Sequence, residues 1–203
     1  MSSIIRKGII IIGLTTLLFL PGCSGVNVNI HSVPLGGLPD EEHEYILVIP
    51  WLAEQDNSND IGQAIKENLL SRGVECKLAN EIYKFGDKSA QASIEKVIKD
   101  EEIDAVLVLR ASRYNKEAYP DYPIDAVPFG NFFFINYPIV KTYMTFNSGV
   151  LDLESVLYDA KDGKAVWNSF CSIVHSHGFT GSLRKEKAAK SIVYKLAEDG
   201  LIP

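Results

Sequence analysis

His175 and His177 are the residues whose type and spacing come nearest to holding a metal ion. Two positions apart on a strand, they project from one face, where a cation could be shared between two imidazoles. Gly178 follows at once and no third ligand stands at a diagnostic spacing, so two solvated or half-buried histidines at a strand end satisfy the pattern as well. His31 and His43 fall in a stretch read below as a flexible tether, which is unsuited to fixing a ligand. Gly178-Phe179-Thr180-Gly181-Ser182 is glycine-rich, yet it has neither the Gly-x-Ser-x-Gly of a hydrolase elbow nor the Lys-Ser/Thr ending of a phosphate loop. A turn feeding a helix, capped by Thr180 or Ser182, explains it in full. Asp152 and Glu154 share a strand face opposite Leu151 and Leu153, the pattern of a solvated face rather than of a carboxylate pair built for proton transfer. Cys76 and Cys171 lie in segments patterned as strands. A disulfide between them needs alpha carbons within ~7 Å, and two separately buried thiols are the preferred alternative. These residues assign no catalytic group, and the chain is read as a non-enzyme without a cofactor.

The elements that would position these side chains can be read in order. Tyr45-Ile46-Leu47-Val48-Ile49 is an apolar run stopped by Pro50, which suits a strand buried on both faces. Asp60, with Gln63 three residues on, has the form of a capping box opening a helix. Ile61, Ala64, Ile65 and Leu69 supply its apolar stripe and Gly73 its stop. Val74, Cys76 and Leu78 alternate with charged residues as a second strand. A helix over Ser89 to Asp100 and a third strand, Ala105 to Leu109, follow. Strand-helix repetition of this kind implies right-handed crossovers in an α/β layer. Later, Val150 to Tyr158 and Ala165 to Val174 form a hairpin around Lys161-Asp162-Gly163-Lys164, where Asp-Gly is the turn signal. A last helix from about Ser182 carries Ala189, Ile192, Val193 and Leu196, and Gly200 ends it. The expected fold class is α/β (α+β), a single mixed sheet with helices in the order β-α-β-α-β-(aromatic insertion)-β-β-α.

Between the third strand and the hairpin the composition changes. Tyr119, Pro120, Tyr122, Pro123, Pro128, Phe129, Phe132, Phe133, Phe134, Tyr137 and Pro138 crowd into one stretch. If Phe132-Phe133-Phe134-Ile135 is a strand with one wet face, it cannot hide every side chain. Either a covering layer buries it, or it is an apolar patch that docks a partner, a second copy or a membrane surface. In the second case Tyr122, Phe129, Phe132, Phe133, Phe134 and Tyr137 are the partner-binding residues.

At the other end of the chain, Arg6 and Lys7 precede an apolar segment, Ile9 to Leu20, that is too short to span a bilayer comfortably and of a length suited to a secretory signal. It closes on Leu20-Pro21-Gly22-Cys23, which resembles the lipobox of bacterial lipoproteins. The resemblance implies cleavage before Cys23 and attachment of acyl chains to it. Residues 1–22 are then a signal peptide, 23–44 the lipidated cysteine and a flexible tether, and 45–203 a single periplasmic α/β domain. The tether reading rests on Pro34, Gly36, Gly37, Pro39 and the acidic Asp40, Glu41 and Glu42. Losing Arg6 and Lys7 takes the formal charge from −6 to −8, which disfavours nucleic acid and electrostatic binding to anionic lipid. Membrane association would rest on acyl chains, at ~0.8 kcal/mol per buried methylene. Ser24, where retained lipoproteins of the enterobacterial type carry Asp, implies the outer membrane, facing the periplasm. In an organism with one membrane it would be the outer face of the plasma membrane.

Leu151-Asp152-Leu153-Glu154-Ser155-Val156-Leu157-Tyr158-Asp159-Ala160, followed by Asp162-Gly163-Lys164-Ala165-Val166-Trp167 and a terminal helix, resembles bacterial outer-membrane lipoproteins built like the amino-terminal domain of TolB. That class includes lipoprotein activators of penicillin-binding proteins and the core of the curli-export lipoprotein. It has no shared catalytic residues to transfer. The resemblance implies a palmitate-bearing accessory protein of the cell envelope, binding an envelope protein or a peptidoglycan-related partner. The alternatives are an oligomeric component of an export or transport assembly, through self-association, and a metal-dependent enzyme using His175 and His177.

Overall fold

Tyr45–Trp51 and Ala105–Ala111 are continuously apolar over most of their length, and they lie side by side as parallel strands inside the sheet. Ile46, Leu47, Val106 and Leu107 are all fully buried, as strands covered on both faces require. The computed structural model describes residues 27–35, 42–52, 55–82, 90–111, 150–174 and 181–203. In chain order these form β1 (Asn27–Pro34), β2 (Tyr45–Trp51), α1 (Gln55–Leu70), β3 (Glu75–Leu78), a short 3-10 turn (Ala79–Glu81), α2 (Ala90–Asp100), β4 (Ala105–Ala111), β5 (Val150–Asp159), β6 (Ala165–Val174) and α3 (Gly181–Glu198). The strands make one sheet in the order β1-β6-β5-β4-β2-β3. β2 is parallel to β3 and β4, while the β4–β5, β5–β6 and β6–β1 pairs are antiparallel. The sheet is therefore mixed and the class is α/β.

Alternation along the strands divides the core into two layers. Ile46, Val48, Leu107, Leu157, Trp167 and Cys171 face α1 and α3, meeting Ile61, Ile65, Leu69, Ile192 and Leu196. Leu47, Ile49, Val106, Val108, Val156 and Tyr158 face the other way, with Ile94 and Ile98 of α2. Both long helices end by the same device. Gly73 (φ 84°) and Gly200 (φ 72°) take the left-handed conformation, and Val74 N–H and Leu201 N–H reach back to the carbonyls of Leu69 and Leu196, as in a Schellman stop. The β5–β6 turn closes through Gly163 N–H to Asp159 O at 2.9 Å, with Gly163 at φ 69°.

Three expectations are corrected. Residues 27–34, expected within a flexible tether, are a strand paired along its length with β6, from Asn27 opposite Val174 to Pro34 opposite Trp167. Val28 and Ile30 pack on the core, and Ser32 donates a hydrogen bond to Asp199, which also accepts from Trp167 Nε1 at 2.8 Å. Asp60 does not cap α1, which begins at Gln55; it instead pairs with Lys185 of α3 at 2.6 Å. Glu154 is not on a solvated face. It is 8% exposed, because β4 brings Arg110 and β6 brings Asn168 against its carboxylate.

Candidate functional site

The strand directions bring several chain segments to one end of the sheet. β2, β4 and β6 finish there, and β1 and β5 start there. Asn27 of β1 is opposite Val174 of β6, and Val174 is opposite Val150 of β5, so one row across three strands holds all three residues. Asn27 lies four positions after Cys23, Val174 immediately precedes His175, and Val150 is where the chain returns after the aromatic stretch. Cys23, Tyr122, Phe129, Phe132, Phe133, Phe134, Tyr137, His175 and His177 themselves lie outside the described residues. In open α/β sheets this end, beyond the carboxyl ends of the parallel strands, is where ligands usually bind.

The starts of α1 and α3 lie at the same end. Lys185 near the start of α3 bonds Asp60 near the start of α1, while at the far ends Arg72 stacks over the Tyr194 ring at 5.9 Å and donates to Pro203 O. The first turn of α3 carries no acidic residue, although its dipole favours anions there. It is followed by two nearly buried cations: Arg184 is 8% exposed and Lys185 7%. Lys185 is neutralised by Asp60. Arg184 Nε and Nη1 are sealed from solvent without a hydrogen-bond partner, and no carboxylate among the described residues pairs with it. Sequence reading missed Arg184. The available signal was a pair of basic residues at a helix start with no acid before them.

At the opposite end sits His43, which sequence reading had assigned to the tether. It is 5% exposed, its backbone N–H bonds Leu201 O, and its Nδ1 lies 3.6 Å from Asp104 Oδ1. Burial lowers its pKa from 6.5 against the pull of Asp104 and Asp159, with Lys161 adding to the lowering. Asp104 Oδ2 accepts the backbone N–H groups of Glu44 and Tyr45, fixing the entry to β2. Cys76 and Cys171 are free, buried thiols, each pushed up to about 12 by burial, which suppresses the thiolate that reactivity requires. Asp199 is held below the usual carboxylate range: burial opposes ionisation, but hydrogen bonds from Ser32, Trp167 and Lys195 outweigh it.

On the face that carries α2, the β1–β6 side keeps apolar groups on the surface. Phe170 is opposite both Glu154 and His31, which puts it on the face away from Cys171. It is 50% exposed, beside Val33 at 58% and Leu35 at 36%. Among the described residues no helix is long and apolar enough to cross a membrane.

No protein-family model matches the chain, and no curated protein matches it in sequence. Among solved structures, the PelC dodecamer from Paraburkholderia phytofirmans and a single-residue variant of it each show 12% identity and a TM-score of 0.48, covering 87% of this chain and 100% of theirs. A PDZ domain protein from Parabacteroides distasonis shows 8% identity and a TM-score of 0.38 over 88% of this chain and 38% of its own.

Proposed function

We propose that this chain is a lipid-anchored cell-envelope lipoprotein whose α/β domain binds another envelope component and catalyses nothing. The observation that carries the reading is Cys23 at the close of a short apolar run behind Arg6 and Lys7. The start of the fold at Asn27, only four residues later, supports it, since four residues span at most about 14 Å and would keep the domain beside the bilayer. The described chemistry-bearing groups also serve the fold: Asp199 ties β1 to α3, Asp104 anchors β2, and both thiols are core. Anchoring would raise the effective concentration of any membrane-bound partner, so modest affinity would suffice.

Metabolic labelling of cells with an alkyne fatty acid tests the anchor. Label should appear on the wild type, vanish in Cys23→Ser, and release that variant from the membrane fraction. Label on Cys23→Ser, or none on the wild type, would refute it. A photoreactive residue at position 133 then tests the binding role, with a single defined protein adduct as the expected result.

The outer edge of β1 and the exposed Val33, Leu35 and Phe170 favour a second reading, self-association within an export or transport assembly. Self-adducts from position 133 and from position 170 would select it.

A further inference from the structure

We infer that the outer edge of β1 is a docking surface for β1 of a second copy of this chain, the two strands running antiparallel about a twofold axis at Ile30. This gives the self-association reading its contact and rests on that reading. It does not require the anchor at Cys23.

The pairing with β6 sets which backbone groups of β1 are left over. Leu35 N–H donates to Val166 O at 2.7 Å, so this couple is of the hydrogen-bonded kind, and the two kinds alternate along an antiparallel ladder. Val33–Asn168, His31–Phe170 and Asn29–Ser172 are then hydrogen-bonded couples as well. These odd-numbered residues spend N–H and C=O on β6. Val28, Ile30 and Ser32 turn theirs the other way, and among the described strands β1 pairs with β6 alone.

Edge strands are ordinarily blunted by shortness, charge, proline or a bulge. The other edge of the sheet follows that practice: β3 has four residues, with Glu75 exposed and Lys77 ion-paired to Glu101. β1 has eight residues in unbroken register, and its one proline is the last of them. No Asp, Glu, Lys or Arg occurs from Gly8 to Pro39, although the chain carries 26 acidic and 20 basic residues.

That absence selects the occupant. In a symmetric contact each group meets its own kind, so a charged edge repels its copy, and a chain of formal charge −6 repels itself at large. The β1 edge is free of that penalty. An axis at Ile30 sets Ile30 against itself and Val28 against Ser32, so all three outward residues exchange both backbone groups with the other copy. Asn29 then faces the other copy's His31 in a couple without hydrogen bonds, alpha carbons about 4.5 Å apart. Both side chains are exposed, as the couple requires. The axis stands perpendicular to the sheet, so the sheet continues from copy to copy and the exposed Val33 and Phe170 of both copies come to one face.

Sedimentation equilibrium of the full chain in density-matched neutral detergent reads the association. A concentration-dependent dimer is expected. It should weaken about tenfold or more in Asn29→Glu/His31→Glu, which sets Glu against Glu twice across the axis. It should recover in Asn29→Glu/His31→Lys, which sets Glu against Lys. A wild type that does not self-associate overturns the contact together with the reading beneath it. Association that Asn29→Glu/His31→Glu leaves unchanged, or that Asn29→Glu/His31→Lys fails to recover, overturns the contact and leaves self-association standing. Should either variant fail to fold, single cysteines decide. Chains carrying Asn29→Cys and His31→Cys, mixed and oxidised with diamide, must form the mixed disulfide dimer, and its absence overturns the contact.

Discussion

Replacing Asp199 by alanine should cost about 3 kcal/mol of stability, from the groups it leaves behind. Trp167 is fully buried and donates its Nε1–H to Asp199 Oδ2 at 2.8 Å. A hydrogen bond to a charged acceptor is worth ~1.5–3 kcal/mol, and removing the acceptor strands a buried donor. Ser32 Oγ loses the same oxygen, adding about 1 kcal/mol. The Lys195 pair is open to solvent and adds little. Asp199→Asn keeps an oxygen for Trp167 and should cost only about 1 kcal/mol. Urea unfolding of the two variants, with Trp167→Phe alone and combined with Asp199→Ala as a double-mutant cycle, measures the coupling directly. The acid limb supplies a sign. The folded pKa of Asp199 lies below 3.8, so its contribution is complete above that value and is lost as pH falls through the folded value. The wild-type advantage over Asp199→Ala should therefore shrink in acid. A cost under about 0.5 kcal/mol, or equal costs for Asp199→Ala and Asp199→Asn, would refute the lock between β1, β6 and α3.

Four further outcomes follow from the same geometry. Because burial lowers the His43 pKa from 6.5, the unfolded chain binds the extra proton and stability falls as pH drops below that value; His43→Leu should flatten this dependence in unfolding curves taken on either side of it. Cys76 and Cys171 should resist a thiol reagent in the native protein at neutral pH and react on denaturation, as their raised pKa of about 12 requires. Gly73→Ala should lose about 1 kcal/mol in urea unfolding through backbone conformation alone, since φ is 84° and an added Cβ meets nothing within 4 Å. Arg184→Met should raise stability by about 1 kcal/mol in urea unfolding, by removing a buried charge that no carboxylate among the described residues pairs.

Those positions also separate what the sequence makes legible from what it hides. The central strands read plainly because Ile46 to Ile49 and Ala105 to Leu109 are apolar at every position. The helix stripes read because 3.6-residue spacing repeats over several turns, and Gly73, Gly163 and Gly200 stand where φ is positive. β1 was hidden. Asn27-Val28-Asn29-Ile30 does alternate, but only briefly, and its partner is the last strand of the chain. The start of α1 was hidden for a related reason: Asp56 to Asp60 are poor helix formers, held by Ser58 bonding Leu52 N–H and by Asp60 meeting Lys185. Glu154 and His43 took their burial from neighbours remote in sequence, Arg110 and Asn168 for one and Asp104 and Leu201 for the other. Of the candidate site, Cys23 and the aromatic residues could be named from sequence, whereas Arg184 became visible only when its missing partner did.

The pairing of β1 with β6 also sets an order of events as the chain is made. Among the described strands, β1 emerges first and pairs with none until the strand ending at Val174 has followed it, and its tie to Asp199 joins residues 167 positions apart. Closing so long a loop is a late and slow step. While it waits, Asn27–Pro34 is an unpaired strand, the kind of segment that other chains can capture. Holding those residues at a surface from the moment they appear would shield this nascent edge until its proper neighbour arrives.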